Sequence, residues 1–169
     1  MKFLSIIYGI VVYIRNRLYD CKILKEKVLE DTEIIWVGNI VVGGAGKTPA
    51  VQYYANKHIL EGKKVGILSR GYKGKRDKNP FLVRDYDKIH CTPIESGDEA
   101  YFHALNLNIP VVVSKDRYKG AKLLKEKFDV KVIIMDDGFQ HRKLKKTENV
   151  LLVDATNPFG GDEYLPKGR

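Results

Sequence analysis

The glycine-rich stretch GNIVVGGAGKTP, at residues 38–49, decides the fold of this chain. The apolar segment EIIWV precedes it at residues 33–37 and has the character of a buried strand, and residues 49–60 follow with a helical pattern. A strand, a glycine turn and a helix N-terminus together form an anion site, because backbone N–H groups converge there and the helix dipole is positive at that end. The stretch therefore predicts a phosphate-binding loop.

In a phosphate-binding loop the glycines, the lysine and the following threonine have different predicted roles. Its glycines permit positive φ angles and a close approach of phosphate. Lys47 would reach the β- and γ-phosphates of a nucleotide, and the hydroxyl of Thr48 would bind Mg²⁺. The general pattern G-x-x-x-x-G-K-[ST] requires glycine where this chain has Val41, so a glycine-rich connection with a chance Gly-Lys-Thr stays an alternative. The predicted nucleotide-binding residues are Val41, Val42, Gly43, Gly44, Ala45, Gly46, Lys47 and Thr48.

Length, composition and charge restrict the class of protein. The 169 residues suffice for one domain with a core, and the 44% apolar and 30% charged content is that of a folded chain. The net charge of +9 indicates anionic partners, such as nucleic acid, acidic phospholipid or phosphorylated small molecules. Cys21 and Cys91 match no zinc or redox spacing, which fits a reducing cytosolic setting.

The N-terminal segment differs from the rest of the chain. Residues 3–14 are almost continuously apolar, and Arg15 and Arg17 follow. The run is shorter than the ~20 residues that span a bilayer, and no small-residue cleavage site follows it. An apolar run with a basic flank favours a helix lying on an anionic membrane surface, with an ordinary helix packed on the domain as the alternative. We therefore divide the chain into a membrane-associated helix at 1–30 and a domain built on the phosphate-binding loop (P-loop) at 31–169.

A second strong pattern is VKVIIMDD at residues 130–137. A mainly β-branched strand that ends in aspartate is the Walker B arrangement, and it predicts that Asp136 and Asp137 hold Mg²⁺ directly or through water. One apolar strand ending in aspartate is common, so the weight comes from its combination with the glycine loop. His141 follows shortly and is a candidate for phosphate or substrate contact, although a lone histidine is more often structural.

Further strands are predicted at residues 64–69, 81–83, 109–114 and 148–154, with helices at 100–107 and 117–128 between them. The alternation predicts a mainly parallel sheet with helices on both faces. Loops that follow strands line the ligand crevice of such a sheet, so Arg70 and Tyr72 are candidate ligand contacts. Arg117 is a candidate phosphate contact, and Asp116 has the position of a helix cap.

Two adjacent carboxylates, Asp98 and Glu99, precede the helix predicted at residues 100–107. Helix capping alone would account for one of them. They would also suit a general base and a metal ligand. The residues by themselves leave both interpretations open.

Several of these motifs resemble one family, the tetraacyldisaccharide 4'-kinases of lipid A synthesis, in its N-terminal half. The glycine loop with its preceding Val-Gly-Asn, the SRGY at 69–72, the GDE at 97–99, the DDGFQH at 136–141 and the closing LPKGR at 165–169 carry the resemblance. Val41 agrees with this family's loop. Ala100 departs from it, because the family pattern continues Gly-Asp-Glu-Pro.

The resemblance implies a reaction in which the γ-phosphate of ATP passes to the 4'-hydroxyl of tetraacyldisaccharide 1-phosphate, a lipid A precursor, giving lipid IVA. Lys47, Asp98 and Asp137 would be catalytic, with Asp98 activating the hydroxyl. Thr48, Glu99 and Asp136 would hold Mg²⁺. The substrate or phosphate contacts would be Arg70, Tyr72, Arg117, His141 and Arg169.

The same resemblance implies a location at the cytoplasmic face of the inner membrane, bound to its anionic surface. Family members continue beyond the point where this chain ends, so a C-terminal half would have to come from another chain or a longer product. A P-loop kinase of a soluble small molecule and a non-catalytic nucleotide-binding module are the alternatives. Nucleic acid is not expected as a partner, because the basic residues lack an interleaved aromatic platform.

Overall fold

A computed structural model describes residues 2–39, 46–72, 74–75, 79–136 and 142–155, with side chains from residue 7 onward. The described helices and strands, in chain order, are α1 Lys2–Asp20, β1 Glu33–Asn39, α2 Lys47–Leu60, β2 Val65–Ser69, β3 Phe81–Arg84, α3 Pro93–Ser96, α4 Asp98–Asn106, β4 Val111–Val113, α5 Arg117–Phe128, β5 Val132–Asp136 and β6 Glu148–Leu152.

Within these ranges the strands form one six-stranded sheet in the order β3-β4-β2-β5-β1-β6. Every pairing is parallel except that of β3 with β4. The predicted α/β architecture, a mainly parallel sheet flanked by helices, is therefore confirmed. The central strands are buried on both faces, as expected when helices cover a parallel sheet on both sides.

Alternation along the strands divides the core into two layers. Along β5, Ile134 packs against the α2 and α4 side together with Val51 and Ala104. Its neighbour Ile133 packs against the α5 side, together with Leu124. Successive strand side chains point to opposite faces, so each residue at a strand end can be assigned to a face. Asp136, two residues after Ile134, belongs to the α2 and α4 face.

The N-terminal helix α1 is attached to the sheet domain at its C-terminal end. Arg142 Nη1 donates to the carbonyl oxygen of Asn16 at 3.1 Å and lies 2.9 Å from Asp20 Oδ1. The guanidinium also stacks over the ring of Tyr19 at 5.2 Å. Among the described residues, none of the helices combines the length and apolar character that crossing a bilayer requires.

Most predicted elements match the observed ones within two residues. The helix expected at 117–128 is found at that position, and Asp116 caps it as predicted. The helix after the glycine loop begins at Lys47 rather than at Pro49. The short helix α3 was not predicted, and it begins with a capping box formed by Thr92 and Glu95.

Candidate functional site

Asn39, which ends β1, and Lys47, which begins α2, lie together where the parallel strands have their carboxyl ends, here called the carboxyl edge of the sheet. Gly46 occupies the helix N-cap with φ 74° and ψ 24°, a left-handed conformation that glycine adopts without strain. Lys47 is the first residue of α2, and its Nζ donates to Asn39 Oδ1 at 3.2 Å. Thr48 follows in the same first turn. The predicted nucleotide contacts from Val41 to Ala45 lie outside the described residues.

Asp136 ends β5 beside the end of β1. The two strands are parallel, and Asp136 is in register with Val37. The carboxylate is 1% exposed and lies on the α2 and α4 face, as does Lys47 at the start of α2. Lys47 and Asp136 therefore occupy one edge and one face of the sheet. Asp137 and His141 lie outside the described residues.

Asp136 has a buried partner that the sequence analysis missed, His103 of α4. His103 Nε2 lies 3.2 Å from Asp136 Oδ2, and His103 is fully buried. Within the described residues, the second polar atom of each group, His103 Nδ1 and Asp136 Oδ1, has no hydrogen-bond partner. The sequence feature that could have identified His103 as buried is its spacing, since it lies on the buried stripe of α4 between Ala100 and Ala104.

The start of α4 faces the loop that follows β2. Gly97 caps α4 with φ 85°, and a Cβ at this position would lie 2.5 Å from the carbonyl oxygen of Tyr72. Asp98 and Glu99, in the first turn of α4, are exposed. Arg70 and Tyr72 therefore lie on the loop that packs against the helix bearing the two predicted carboxylates, at the carboxyl edge of the sheet.

Arg117 lies apart from this group. It begins α5, on the opposite face of the sheet, and is 3% exposed. Its Nη1 donates to the carbonyl oxygen of Ser114 at 2.7 Å. The predicted phosphate contact by Arg117 stays a prediction, since this buried geometry already gives the guanidinium a structural role. Arg169, the last predicted contact, lies outside the described residues.

Asp116, which caps α5, accepts several hydrogen bonds that favour its ionised form. Asp116 Oδ1 accepts from the amides of Tyr118 at 3.0 Å and Lys119 at 3.2 Å, and Oδ2 lies 3.1 Å from Lys143 Nζ. Burial opposes ionisation, but the hydrogen bond from Lys143 and those from the two amides outweigh it and lower the pKa of Asp116. Asp116 therefore remains charged in a stabilising role.

A metal at this edge would find oxygen donors rather than a preformed cage. Among the residues that the structure describes, no three His, Cys, Asp or Glu side chains gather to hold a metal ion. The buried oxygen of Asp136 that lacks a partner and the hydroxyl of Thr48 are the kinds of atom that Mg²⁺ prefers, and Mg²⁺ is usually bound by one or two protein groups plus substrate phosphates. The donor set therefore fits magnesium held jointly with a phosphate ligand.

The fold and this grouping first define a class of protein, the α/β proteins that bind a ligand at the carboxyl ends of a mainly parallel sheet. In open, mainly parallel α/β sheets, ligands bind in the crevice outside the carboxyl ends of the strands, and here Lys47, Asp136 and the start of α4 meet at that edge. Comparison with known proteins then defines the family. The sequence model of the tetraacyldisaccharide-1-P 4'-kinases (LpxK) matches residues 1–169. The chain belongs to this family.

Individual relatives agree with the assignment. The tetraacyldisaccharide 4'-kinase of Aquifex aeolicus is 44% identical over 165 residues, which are 97% of this chain and 50% of the relative. That of Halothermothrix orenii is 37% identical over 170 residues, which are 99% of this chain and 44% of the relative. A crystal structure of Aquifex aeolicus LpxK, described as an "apo" form in complex with ATP, superposes with a TM-score of 0.88 at 44% identity.

The match covers nearly all of this chain but only part of its relatives. The crystal structure is aligned over 98% of this chain and 51% of the Aquifex chain. The chain thus spans about half the length of the relatives that it matches, and the residues that match are the half containing the glycine loop.

Proposed function

We propose that this chain is the nucleotide-binding half of a lipid A 4'-kinase, which transfers the γ-phosphate of ATP to the 4'-hydroxyl of tetraacyldisaccharide 1-phosphate to give lipid IVA. The observation that carries the proposal is the position of Lys47 and Asp136 at one edge and one face of the sheet. In this proposal residues 31–169 form a P-loop NTPase-like kinase domain, and residues 1–30 form a membrane-associated segment whose helix is α1, Lys2–Asp20.

ATP and Mg²⁺ are the proposed cofactors. The Lys47 ammonium would bind the nucleotide phosphates, with the backbone of residues 41–46 around them. Thr48, Asp136 and Glu99 would supply oxygen ligands to the metal, with Asp137 ordering its water ligands. The bound metal would neutralise charge on the phosphates. An ATP complex of the Aquifex relative supports this assignment.

Asp98 is the proposed general base. It lies exposed in the first turn of α4, where the helix dipole favours an ionised carboxylate. A base in phosphoryl transfer needs reach of the hydroxyl more than an unusual pKa, and an exposed side chain beside a loop can provide that reach. Asp98 would accept the proton of the sugar hydroxyl on a carboxylate oxygen. Proposed substrate or phosphate contacts are Arg70, Tyr72, Arg117, His141 and Arg169.

Catalysis is proposed to need the half of the family fold that this chain does not match. That half would be supplied by another chain or by a longer product. ATP binding is a property of the loop half and can be tested on this chain alone.

The proposed function is tested first by ATP binding. Isothermal titration calorimetry with Mg²⁺ should show binding, and Lys47→Ala should weaken it roughly 10- to 100-fold, because a charge-assisted contact is lost. Lys57→Ala is the matched control, since Lys57 is exposed at the other end of α2. Equal affinity in the Lys47→Ala variant and the wild type would remove the phosphate-loop assignment.

Phosphoryl transfer is tested with labelled ATP and tetraacyldisaccharide 1-phosphate, in the presence of a separately produced C-terminal half of the Aquifex relative. Label in the lipid would support the kinase. ATP binding without transfer would instead favour a non-catalytic nucleotide-binding module. Transfer only to soluble sugars would favour a kinase of a small molecule.

The membrane assignment is supported by the exposed face of α1. Ile7, Ile10, Val11 and Ile14 recur at helical spacing, and each is more than 40% exposed. Arg15 and Arg17 follow at the end that Arg142 fixes to the domain, close to the carboxyl edge. We propose that this stripe lies on the anionic cytoplasmic face of the inner membrane, near a substrate that is itself a lipid.

Co-sedimentation with vesicles containing phosphatidylglycerol tests this surface. Val11→Asp should reduce the bound fraction severalfold, because a charge enters the apolar stripe. Leu60→Asp is the matched control, since Leu60 is 89% exposed at the far end of α2. If both variants bind as the wild type does, α1 is not the membrane contact.

A further inference from the structure

The buried pair of His103 and Asp136 links two elements of the candidate site. Asp136 ends β5, and His103 lies in the middle of α4. Both residues are at most 1% exposed, and Nε2 of the imidazole is 3.2 Å from Oδ2 of the carboxylate. When Asp136 acts as a metal ligand its oxygens only accept hydrogen bonds, and Nε2 is then the donor. The imidazole therefore fixes one oxygen of Asp136.

The other carboxylate oxygen is unusual for a buried group. Asp136 Oδ1 has no hydrogen-bond partner among the residues that the structure describes. Leaving a buried acceptor without a partner is unfavourable, and more so if it is charged. Groups of this kind are rare in folded proteins and call for a reason. A ligand that takes up Oδ1 would supply one.

The identity of the partner matters as much as its position. A lysine or arginine against Oδ2 would neutralise the carboxylate and weaken its attraction for a cation. An imidazole can donate one hydrogen bond from a rigid ring while leaving the negative charge available. Metal-binding carboxylates are commonly oriented by hydrogen bonds of this kind, and loss of the orienting group typically weakens metal affinity 10- to 100-fold.

We propose that His103 is a positioning residue for magnesium, which holds Asp136 so that Oδ1 is available to the metal or to one of its water ligands. The inference rests on the proposed function. His103 also lies on the same helix as Asp98, five residues further along. The pair thereby attaches the helix of the proposed base to the strand of the proposed metal ligand.

The test measures the Mg²⁺ dependence of ATP binding rather than catalysis. ATP affinity is measured by calorimetry across a Mg²⁺ titration and in EDTA. The Mg²⁺ midpoint is the Mg²⁺ concentration at which half of the change in ATP affinity has occurred. His103→Leu should raise this midpoint about 10-fold and leave the ATP affinity in EDTA unchanged, because only the orientation of Asp136 is lost. His103→Gln, which keeps an N–H donor, should restore much of the wild-type midpoint.

His58→Leu is the matched control for a purely structural effect. His58 is a second buried histidine with a carboxylate partner, 2.9 Å from Glu61 Oε2, at the far end of α2. This substitution should lower stability without moving the Mg²⁺ midpoint. An unchanged midpoint in His103→Leu, with the wild type responding normally to Mg²⁺, would overturn the inference and leave the kinase proposal intact.

The wild-type chain supplies a second readout if His103→Leu does not fold. In ¹⁵N NMR spectra the His103 ring resonances should shift on addition of ATP with Mg²⁺ and stay unchanged with ATP in EDTA. Identical His103 signals in both conditions would overturn the inference. A wild-type chain whose ATP binding is unaffected by Mg²⁺ would overturn the proposed function and the inference together.

Discussion

The two edges of the sheet use charged residues in opposite ways. At the amino edge, where the parallel strands have their amino ends, several exposed charged groups form ion pairs. Lys63 lies 3.3 Å from both Glu33 and Glu61, and Asp129 lies 3.1 Å from Lys64 and 2.7 Å from Lys131. These groups are at least one-third exposed, and hydrogen bonds from Lys131 and Lys64 lower the pKa of Asp129. The charges of this edge compensate one another.

At the carboxyl edge, one carboxylate is buried, whereas Asp98 and Glu99 are exposed. Asp136 is 1% exposed, and its described partner is an imidazole rather than a lysine or arginine. Asp98 and Glu99 stand together in one helical turn. Among the residues that the structure describes, Asp136 Oδ1 has no hydrogen-bond partner, which is unfavourable by itself and would become favourable on binding of a cation.

The difference teaches where function can be sought in a sheet of this kind. Ion pairs that satisfy each other contribute little to stability and recognise nothing further. A buried charged group without an oppositely charged partner at the end of a parallel strand indicates a ligand site, because it is retained although it is unfavourable for folding. The following predictions test whether the two edges differ in this way.

The largest contrast is expected for Asp136→Asn. The substitution should raise the Mg²⁺ midpoint for ATP binding by more than about 10-fold, because the buried negative charge is removed. The free energy of unfolding should stay the same or increase, since the cost of burying an incompletely paired charge disappears. Calorimetry and urea unfolding measure the two quantities.

Asp129→Asn at the amino edge is the control, because it makes the same chemical change in an exposed, paired group. Its Mg²⁺ midpoint should match the wild type. A large loss of stability in Asp136→Asn, or an equal change of midpoint in the two variants, would show that the edges do not differ as described.

The next effect is expected for Gly97→Ala. The backbone at φ 85° and ψ 153° is a region reserved for glycine, and the added Cβ would lie 2.5 Å from the Tyr72 carbonyl oxygen. We expect a loss of about 3 kcal/mol in the free energy of unfolding. Urea unfolding followed by the fluorescence of Trp36, the single tryptophan, measures it.

Gly62→Ala provides the amino-edge counterpart. Gly62 also has a positive φ, 75°, but a Cβ there would meet no atom within 4 Å. The strain alone should cost about 1 kcal/mol. Similar losses in the two variants would mean that the loop after β2 is not packed against the start of α4.

A smaller effect is expected for Asp116→Ala, which removes the cap of α5. The loss should be about 1 kcal/mol near neutral pH. The folded state lowers the pKa of Asp116 below its ordinary value of 3.8, so its contribution is present above that value and disappears as the pH falls through the folded-state pKa. Urea unfolding at neutral and acidic pH measures this.

Asp116→Ser is the control for charge, because it retains a capping oxygen without a titrating group. The serine variant should keep most of the stability at neutral pH. A difference between wild type and Asp116→Ala that stays constant into acid would contradict the electrostatic account.

The smallest effect is expected for Glu33→Gln at the amino edge. Lys63 keeps Glu61 as a partner, and both groups are solvent-accessible. The urea midpoint should not change beyond the fitting error, because exposed ion pairs are screened by water and salt. A clear decrease would show that the amino edge stabilises the fold more than its exposure implies.

Much of this site could be predicted from local patterns. The run of apolar residues before the glycine loop and before the two aspartates predicted β1 and β5, and it assigned Lys47 to the loop after β1 and Asp136 to the end of β5. Parallel strands then bring their carboxyl ends to one edge, so the meeting of the two motifs was predictable as well. The cap at Asp116 was also predicted and is confirmed, because capping depends on neighbours within one helical turn.

The partner of Asp136 could not be predicted in this way. His103 lies 33 residues from Asp136, and a single buried histidine in a helix is usually structural. The burial of Arg117 and its hydrogen bond to the Ser114 carbonyl oxygen were also unforeseen, because burial depends on contacts that a local pattern does not report.

The sequence by itself therefore determined most of the strands and helices along the chain and which polar residues follow the strands. It could do so because periodicity, glycine turns and caps act over a few residues. Only the tertiary structure decided which of the charged groups are buried and which are paired. Burial and pairing depend on contacts between residues far apart in the chain, here α4 against β5, and local patterns carry no information about such contacts.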